Sequence, residues 1–294
     1  MVFGRNKRPR LACELTATRV AVARATDGTI DSTAVRMLPP GVVNPHLVTA
    51  NIANRDVTRT AISEAMAVVG GRRRDVIVVL PDGACRVVLL DFDMLPDKRD
   101  DAEAVVRFRL KKSLPFDVEK ARVSYDPQPT AEGKLSVVAA VTLNSVLEEY
   151  ESVLREAGYT PGMVIPSMLA SLGQVDGNVP TLVIKIDPVT TSFAIVDNGR
   201  LLLVRTLDNP GGVAPEGAQL AEDVYPSLVF FQDTYGTKVQ KILVGGLDSL
   251  DGLNASLAEM VGLRAQELVS TAVMGPNAGP QRALLGAVVG ALLA

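Results

Sequence analysis

The stretch Leu182–Gly199, LVIKIDPVTTSFAIVDNG, sets the terms for the whole chain. A β-branched run ends at Asp187-Pro188, a second run begins at Thr190-Thr191, and Asp-Asn-Gly closes it with the signature of a tight hairpin turn. The two threonines stand where a phosphate-gripping loop places its hydroxyls. A similar strand, turn and strand opens the chain at Leu11–Gly28, LACELTATRVAVARATDG. The internal similarity is weak, yet a duplicated α/β fold with two phosphate-facing hairpins would show it.

Working outward, Asn51 to Val69 reads as an amphipathic helix with Ile52, Val57, Ala61, Ile62, Ala65 and Val69 near one face. Asp75–Leu80 and Cys85–Phe92 are β-branched runs separated by PDGA, which predicts a hairpin. A helix follows, with Asp97 as expected N-cap and an end near Leu114, because Pro115 disfavours the helical conformation at the residue before it. Two further strands, at 122–126 and 135–143, precede a helix over 144–157. Beyond a short helix at 166–172, strands are expected at 181–187, 192–197 and 200–207. A helical stretch near 216–235 is next, with a kink or break near Glu222 imposed by Pro226. The strand KILVGG, a helix at about 250–261 and a terminal helix complete the pattern.

Composition narrows the function. The chain has 294 residues, 47% apolar and 21% charged, with a net charge of −3, so no global basic field marks a nucleic-acid binder. Aromatics are 4% and tryptophan is absent, which leaves little for a base-stacking platform. His46 is the only histidine and lies in a turn-like NPH, against a histidine triad, relay or metal site. Cys13 and Cys85 match no zinc spacing and read as buried small apolar residues in a reducing, cytoplasmic setting. The apolar tail Ala283–Ala294 would span about 18 Å as a helix, short of the roughly 30 Å of a bilayer core. Gly286 and Gly290 suit it to close docking instead.

The order VIVVLPDGACRVVLLDFDMLP, a helix, SLPFDVEKARVSYD, then SVVAAVTLNSVLEEYESVLREAGYTPGMVIPSMLA, resembles the PilM family of type IV pilus assembly proteins. The resemblance continues through VDNGRLLLVRTL, EDVYPSLVFFQ and ILVGGLDSLDGLNASLAEMVGL, covering nearly the whole chain. It implies an α/β, actin-like, ribonuclease-H-type two-lobed fold with an inserted α+β subdomain. The first lobe would comprise residues 1–39, 156–180 and 270–294, the insert 40–155, and the second lobe 181–269. The cytoplasmic part of GspL and the division protein FtsA share that architecture.

The resemblance also implies a cytoplasmic scaffold that binds ATP between its lobes and holds the N-terminal tail of a PilN-like inner-membrane protein, with pilus motor components nearby. Its nucleotide site would involve Glu14, Thr16, Asp187, Thr190, Thr191, Gly245 and Gly246, with ATP and Mg²⁺ as the only cofactors and no catalytic residue. Here the pattern departs from the family. The first hairpin's Asp-Ile-Gly-Ser becomes Glu14-Leu15-Thr16-Ala17, and Ala21 replaces a lysine. In the second, Lys185-Ile186-Asp187 stands for Asp-Ile-Gly, and Pro188 lacks an N–H to offer a phosphate. The site therefore reads as degenerate, and the chain as a binding protein without hydrolysis.

For the partner tail, the implied groove has Leu89, Phe92, Leu114, Pro115 and Phe116 on one side and Val164 and Ile165 opposite. Arg107, Arg109, Lys111 and Lys112 read as a dipole-matched helix face, with an anionic membrane surface or acidic partner as the functional alternative; Arg5, Lys7, Arg8 and Arg10 are a second basic group. Two other classes stay open: an actin-fold phosphotransferase and an FtsA-like membrane-associated filament former.

Overall fold

The computed structural model describes residues 8–130, 133–274 and 280–294; Arg5 and Lys7 lie outside the described residues. In chain order the main elements begin with β1 (Leu11–Leu15), β2 (Arg19–Thr26), β3 (Thr29–Met37), α1 (Arg55–Val69), β4 (Asp75–Leu80) and β5 (Arg86–Phe92). Next come α2 (Arg99–Leu110), β6 (Ala121–Pro129), β7 (Leu135–Leu143), α3 (Asn144–Glu156), β8 (Thr160–Pro166) and α4 (Ser167–Ser171). The second half holds β9 (Thr181–Ile186), β10 (Thr190–Asp197), β11 (Arg200–Asp208), α5 (Gly217–Tyr235), β12 (Lys241–Gly245), α6 (Asp251–Val261), β13 (Ala265–Glu267), α7 (Thr271–Met274) and α8 (Gly286–Leu293).

Two five-stranded sheets with the same plan form the two lobes. Their orders are β3-β2-β1-β4-β8 and β11-β10-β9-β12-β13. In each, an antiparallel three-strand meander continues into parallel strands. The likeness of the opening hairpins extends to detail. Asp27 and Asn198 both take positive φ before a glycine that does the same, and each hairpin carries a bulge at the matching place, between Arg24 and Ala25 and between Ile195 and Val196. Positive φ at both turn positions is what a tight turn between twisted strands requires.

Strand alternation assigns the two faces of the first sheet. Leu11, Cys13 and Leu15 face the core shared with α1 and α3, while Ala12, Ala21 and Ala23 face α8. The small side chains on that face let α8 approach closely. A Cβ on Gly290 would lie 2.2 Å from the carbonyl oxygen of Ala170, so this glycine is what allows α8 to lie against α4. Both cysteines are buried and free, and burial pushes the Cys13 thiol up to about 12, so they serve as small core residues.

Several expectations need correction. The strands flanking PDGA do not form a hairpin. Asp82–Ala84 is a 3₁₀ turn that sends the chain from β4, inside the first lobe's sheet, to β5 in a separate three-stranded sheet ordered β5-β7-β6. Pro-Asp-Gly marks a reversal but does not say which strands it joins. The insert is accordingly smaller than 40–155. The β4 strand pairs with β1 and β8, α1 and α3 lie in the first lobe's core, and the inserted unit is the three-stranded sheet with α2.

Two helix starts move as well. Asn54, not a residue near Asn51, caps α1 by accepting from the Val57 N–H at 3.1 Å. Asn51 instead is buried and organises the preceding loop through His46, Thr49 and the Tyr150 hydroxyl. Helix α2 starts after Lys98 without the expected Asp97 cap and ends at Leu110.

Helix α5 also runs unbroken through Pro226, whose ring is exposed while Leu220, Ala221, Val224 and Phe231 anchor the inner face. Tertiary packing overrides the local cost of proline in a helix interior. Replacing Pro226 with alanine restores the missing donor, and we expect a gain of about 1–3 kcal/mol in urea unfolding. Unchanged or lower stability would show that the helix does not bear this cost.

Candidate functional site

The two opening hairpins bring their first turns together across the cleft between the lobes. Glu14 of β1 and Lys185 of β9 occupy equivalent positions in the duplicated hairpins and meet as opposite charges, Lys185 Nζ lying 3.3 Å from Glu14 Oε1. Arg19, at the start of β2, reaches over to Asp187, with a nitrogen–oxygen distance of 2.8 Å, and lies 3.7 Å from Glu14. Lys185 also pairs with Asp187 within the second lobe, and the Ser167 hydroxyl at the start of α4 donates to Glu14. The four charges sum to zero, and none of the four side chains is more than 6% exposed.

Electrostatics fix these charge states. Burial disfavours the Lys185 ammonium, but the carboxylates of Asp187 and Glu14 outweigh it and raise its pKa above the ordinary lysine value. Burial likewise opposes the Arg19 guanidinium, and Asp187 and Glu14 again reverse the effect. Burial would also raise the Asp187 carboxyl, yet Lys185 and Arg19 hold it below the usual range. Asp82 behaves differently. Burial pushes it up despite Lys185, and it accepts a hydrogen bond from the Met168 N–H at 2.9 Å.

Thr16, Asp187 and Thr191, expected to face phosphate, are engaged within their own hairpins. The Thr16 N–H donates to the Arg19 carbonyl at 2.9 Å, and the Thr16 hydroxyl accepts from the Thr18 N–H. In the second hairpin the Asp187 N–H donates to the Thr190 carbonyl. The Thr191 hydroxyl donates to Asn209 Oδ1 at 2.9 Å, and the Asn209 amide donates to the carbonyls of Asp187 and Pro188. Thr190 is buried in the strand.

Gly246 does serve a close backbone approach, but to the chain itself, whereas a Cβ on Gly245 would meet the Leu268 side chain at 3.3 Å. Gly246 has φ +97°, and a Cβ there would lie 2.0 Å from the Ile186 carbonyl oxygen. Among the described residues, a void of about 10 Å³ is lined by Glu14, Arg19, Lys185, Gly245 and Gly246 among others. That is room for about one water molecule, far short of a nucleotide. Among the described residues no group of three or more histidine, cysteine or acidic side chains could hold a metal ion.

Glu14, Asp187, Gly245 and Gly246 thus converge on one cleft, while Thr16, Thr190 and Thr191 serve their own hairpins. Arg19, Lys185, Ser167 and Asn209 complete the arrangement. A charge in the otherwise apolar RVAVA run was the signal for Arg19; nothing local marks Asn209, which is far from the turn it clamps.

The groove residues are spread over several cores. Leu89 faces the second lobe, Phe92 and Leu114 lie under α2, and Pro115 is exposed. Phe116 touches both the insert core and the first-lobe core. Val164 and Ile165 point to opposite faces of β8, so one groove takes only one of them.

The basic run on α2 is largely spent on structure. Arg107 pairs with Glu103 and donates to the carbonyls of Val118 and Ala121, Arg109 lies over the Phe92 ring, and Lys111 pairs with Glu119.

No family model and no curated protein sequence matches the chain. Solved structures do. The chain is similar to a structure described as the PilM-PilN type IV pilus biogenesis complex, with TM-score 0.79, 18% identity and 97% of each chain covered. It is also similar to the cytoplasmic domain of EpsL, an inner membrane component of the type II secretion system of Vibrio cholerae, with TM-score 0.54 at 14% identity, covering 94% of this chain and 93% of that one. A Bacteroides thetaiotaomicron protein of unknown function with an actin-like ATPase fold matches at TM-score 0.53 and 11% identity, over 97% and 98% of the two chains. The chain therefore has an actin-like fold. The likeness to PilM read from the sequence holds, as a likeness of fold, across nearly the whole chain including the insert.

The four-charge cluster generates a direct prediction. Arg19→Leu leaves a buried carboxylate uncompensated and should cost about 3–5 kcal/mol, whereas Arg19→Leu with Asp187→Leu should recover much of that loss. Additive costs in urea unfolding would show that the pair does not interact. The pH dependence follows from the shifts. Asp187, depressed when folded, contributes above the ordinary carboxylate range and loses that contribution as pH falls through its folded value. Lys185, raised when folded, contributes fully below the ordinary lysine value and loses that as pH rises through its own. Thermal unfolding should show this pair's contribution flat from about pH 5 to 9.

Proposed function

We propose that this chain is a cytoplasmic PilM-like scaffold of a type IV pilus or type II secretion-like inner-membrane platform, and that it works by holding the N-terminal tail of a PilN-like membrane protein. The observation that carries the reading is the match in fold to the PilM-PilN complex over 97% of both chains, insert included. The likeness to the cytoplasmic domain of EpsL points to the same kind of platform. No helix among the described residues is long and apolar enough to cross a membrane, which suits a protein held at the membrane by a partner.

The cleft supports a binding role over a phosphotransferase. A phosphotransferase needs free phosphate-loop donors and space for two substrates, whereas here the donors are engaged and the void admits about one water. In this reading the salt-bridge cluster does the work that Mg²⁺ and phosphates do elsewhere in the fold: it neutralises the facing hairpins and joins the lobes. The site is a degenerate nucleotide site, and the scaffold acts without ATP hydrolysis.

The tail would lie between the insert and the first lobe, where Phe116 joins the two cores, Pro115 is exposed and β8 ends its sheet. An extended peptide can add to a sheet edge or fill such a groove. Calorimetry with the N-terminal peptide of the PilN-type protein from the same organism should show micromolar binding, weakened about tenfold or more by Phe116→Ala. No binding to the wild-type chain would overturn the proposal.

A further inference from the structure

The far end of the first lobe carries a second concave site, unrelated to the cleft. A pocket of about 230 Å³ is lined by Arg10, Arg24, Arg72 and Arg73 together with the backbone of Gly70 and Gly71. It adjoins a larger groove of about 500 Å³ that shares Arg10 and Ala25 and adds Arg8, Asp27 and Leu292. Arg10 lies about 13 Å along β1 from Glu14, so the pocket is remote from the cleft.

Its construction holds guanidinium groups in place. Arg24 is fixed by Asp31, its Nε lying 2.8 Å from Oδ1, and Asp31 is further held by the Thr26 hydroxyl. A Cβ on Gly70 or Gly71 would come within 3.6 Å of the Arg24 guanidinium, so the glycine pair lays the loop after α1 directly over it. That loop then presents Arg72 and Arg73.

The charge balance is positive. Asp31 is taken up by Arg24, and Asp27 sits 3.7 Å from Arg10 as an exposed pair. The C-terminus of α1 adds about half a negative charge. Arg8 donates to the carbonyl of Ala291 at 2.7 Å and to that of Ala294. Arg72 and Arg73 have no carboxylate partner among the described residues. This contrasts with α2, whose basic groups are mostly committed to the insert.

We infer that this pocket, formed by Arg10, Arg24, Arg72 and Arg73, is a binding site for a phosphate-bearing anion. A carboxylate offers two oxygens and a single charge, enough for one guanidinium fork. A phosphate monoester offers three oxygens and nearly two charges, and so satisfies two forks at once. The ligand is either a free phosphorylated compound or the headgroup of an anionic lipid.

Two arms distinguish these sources: calorimetry with inorganic pyrophosphate, and co-sedimentation with vesicles containing phosphatidic acid, whose headgroup is a phosphate monoester, against phosphatidylcholine alone. The exposed loop positions make Arg72→Glu with Arg73→Glu a suitable variant, and an unchanged thermal midpoint shows that it folds. We expect saturable, salt-sensitive binding of pyrophosphate, weakened about tenfold or more by the double reversal. It should be unaffected by Lys112→Glu in the turn after α2. Binding to phosphatidic-acid vesicles that depends on Arg72 and Arg73 supports the site and identifies a lipid source. Binding of neither probe, or binding that survives the double reversal, overturns the inference.

Discussion

The structure depends on a closed set of four charges buried where two lobes meet. Glu14 and Lys185, placed at equivalent points of duplicated hairpins, face each other across the cleft, and Arg19 and Asp187 complete the neutral cluster. Each group has left water, and isolated buried charges are costly enough that any one of them alone would be intolerable. Together they constrain the relative placement of the lobes. A gain of partners on one hairpin requires the other hairpin to be in place, so the cleft is a joint between the lobes.

This joint follows from duplication. In an actin-like fold two hairpins of the same shape converge on a common anion, which normally needs the same chemistry on both sides. Here the equivalent positions carry opposite signs, and the hairpins attract each other directly. The glycine turn after β12 closes on the Ile186 carbonyl, and Asn209 fastens the turn carrying Asp187. The opposite signs at Glu14 and Lys185 thus act as an internal lock between the two hairpins.

Much of this was legible in the chain. The alternating runs of β1, β2, β9 and β10, their shared Asp/Asn-Gly turns and the order of elements identify the two-lobed fold, because strand period and turn chemistry are local properties. Glu14, Lys185 and Asp187 stood out in the sequence as departures from the family pattern. The sequence could not show that Lys185 neutralises Glu14, since a cross-lobe pair is a tertiary fact. For the same reason PDGA looked like a hairpin: a turn residue specifies a reversal, but sheet membership is decided by burial of β4 on both faces. Pro226 misled because α5 is held by its buried face, which outweighs one missing hydrogen bond. Phe116, in contrast, was picked out by Leu-Pro-Phe and does stand at a junction of two cores.

We propose that the salt-bridge cluster stands where other actin-like folds hold a nucleotide. A calorimetric titration of ATP with Mg²⁺ into the purified chain tests it most directly, repeated without Mg²⁺. The account predicts no saturable heat under either condition. Stoichiometric binding that depends on Mg²⁺ would contradict it, because such binding requires the Glu14–Lys185 and Arg19–Asp187 contacts to open and the cleft to admit a ligand far larger than its void.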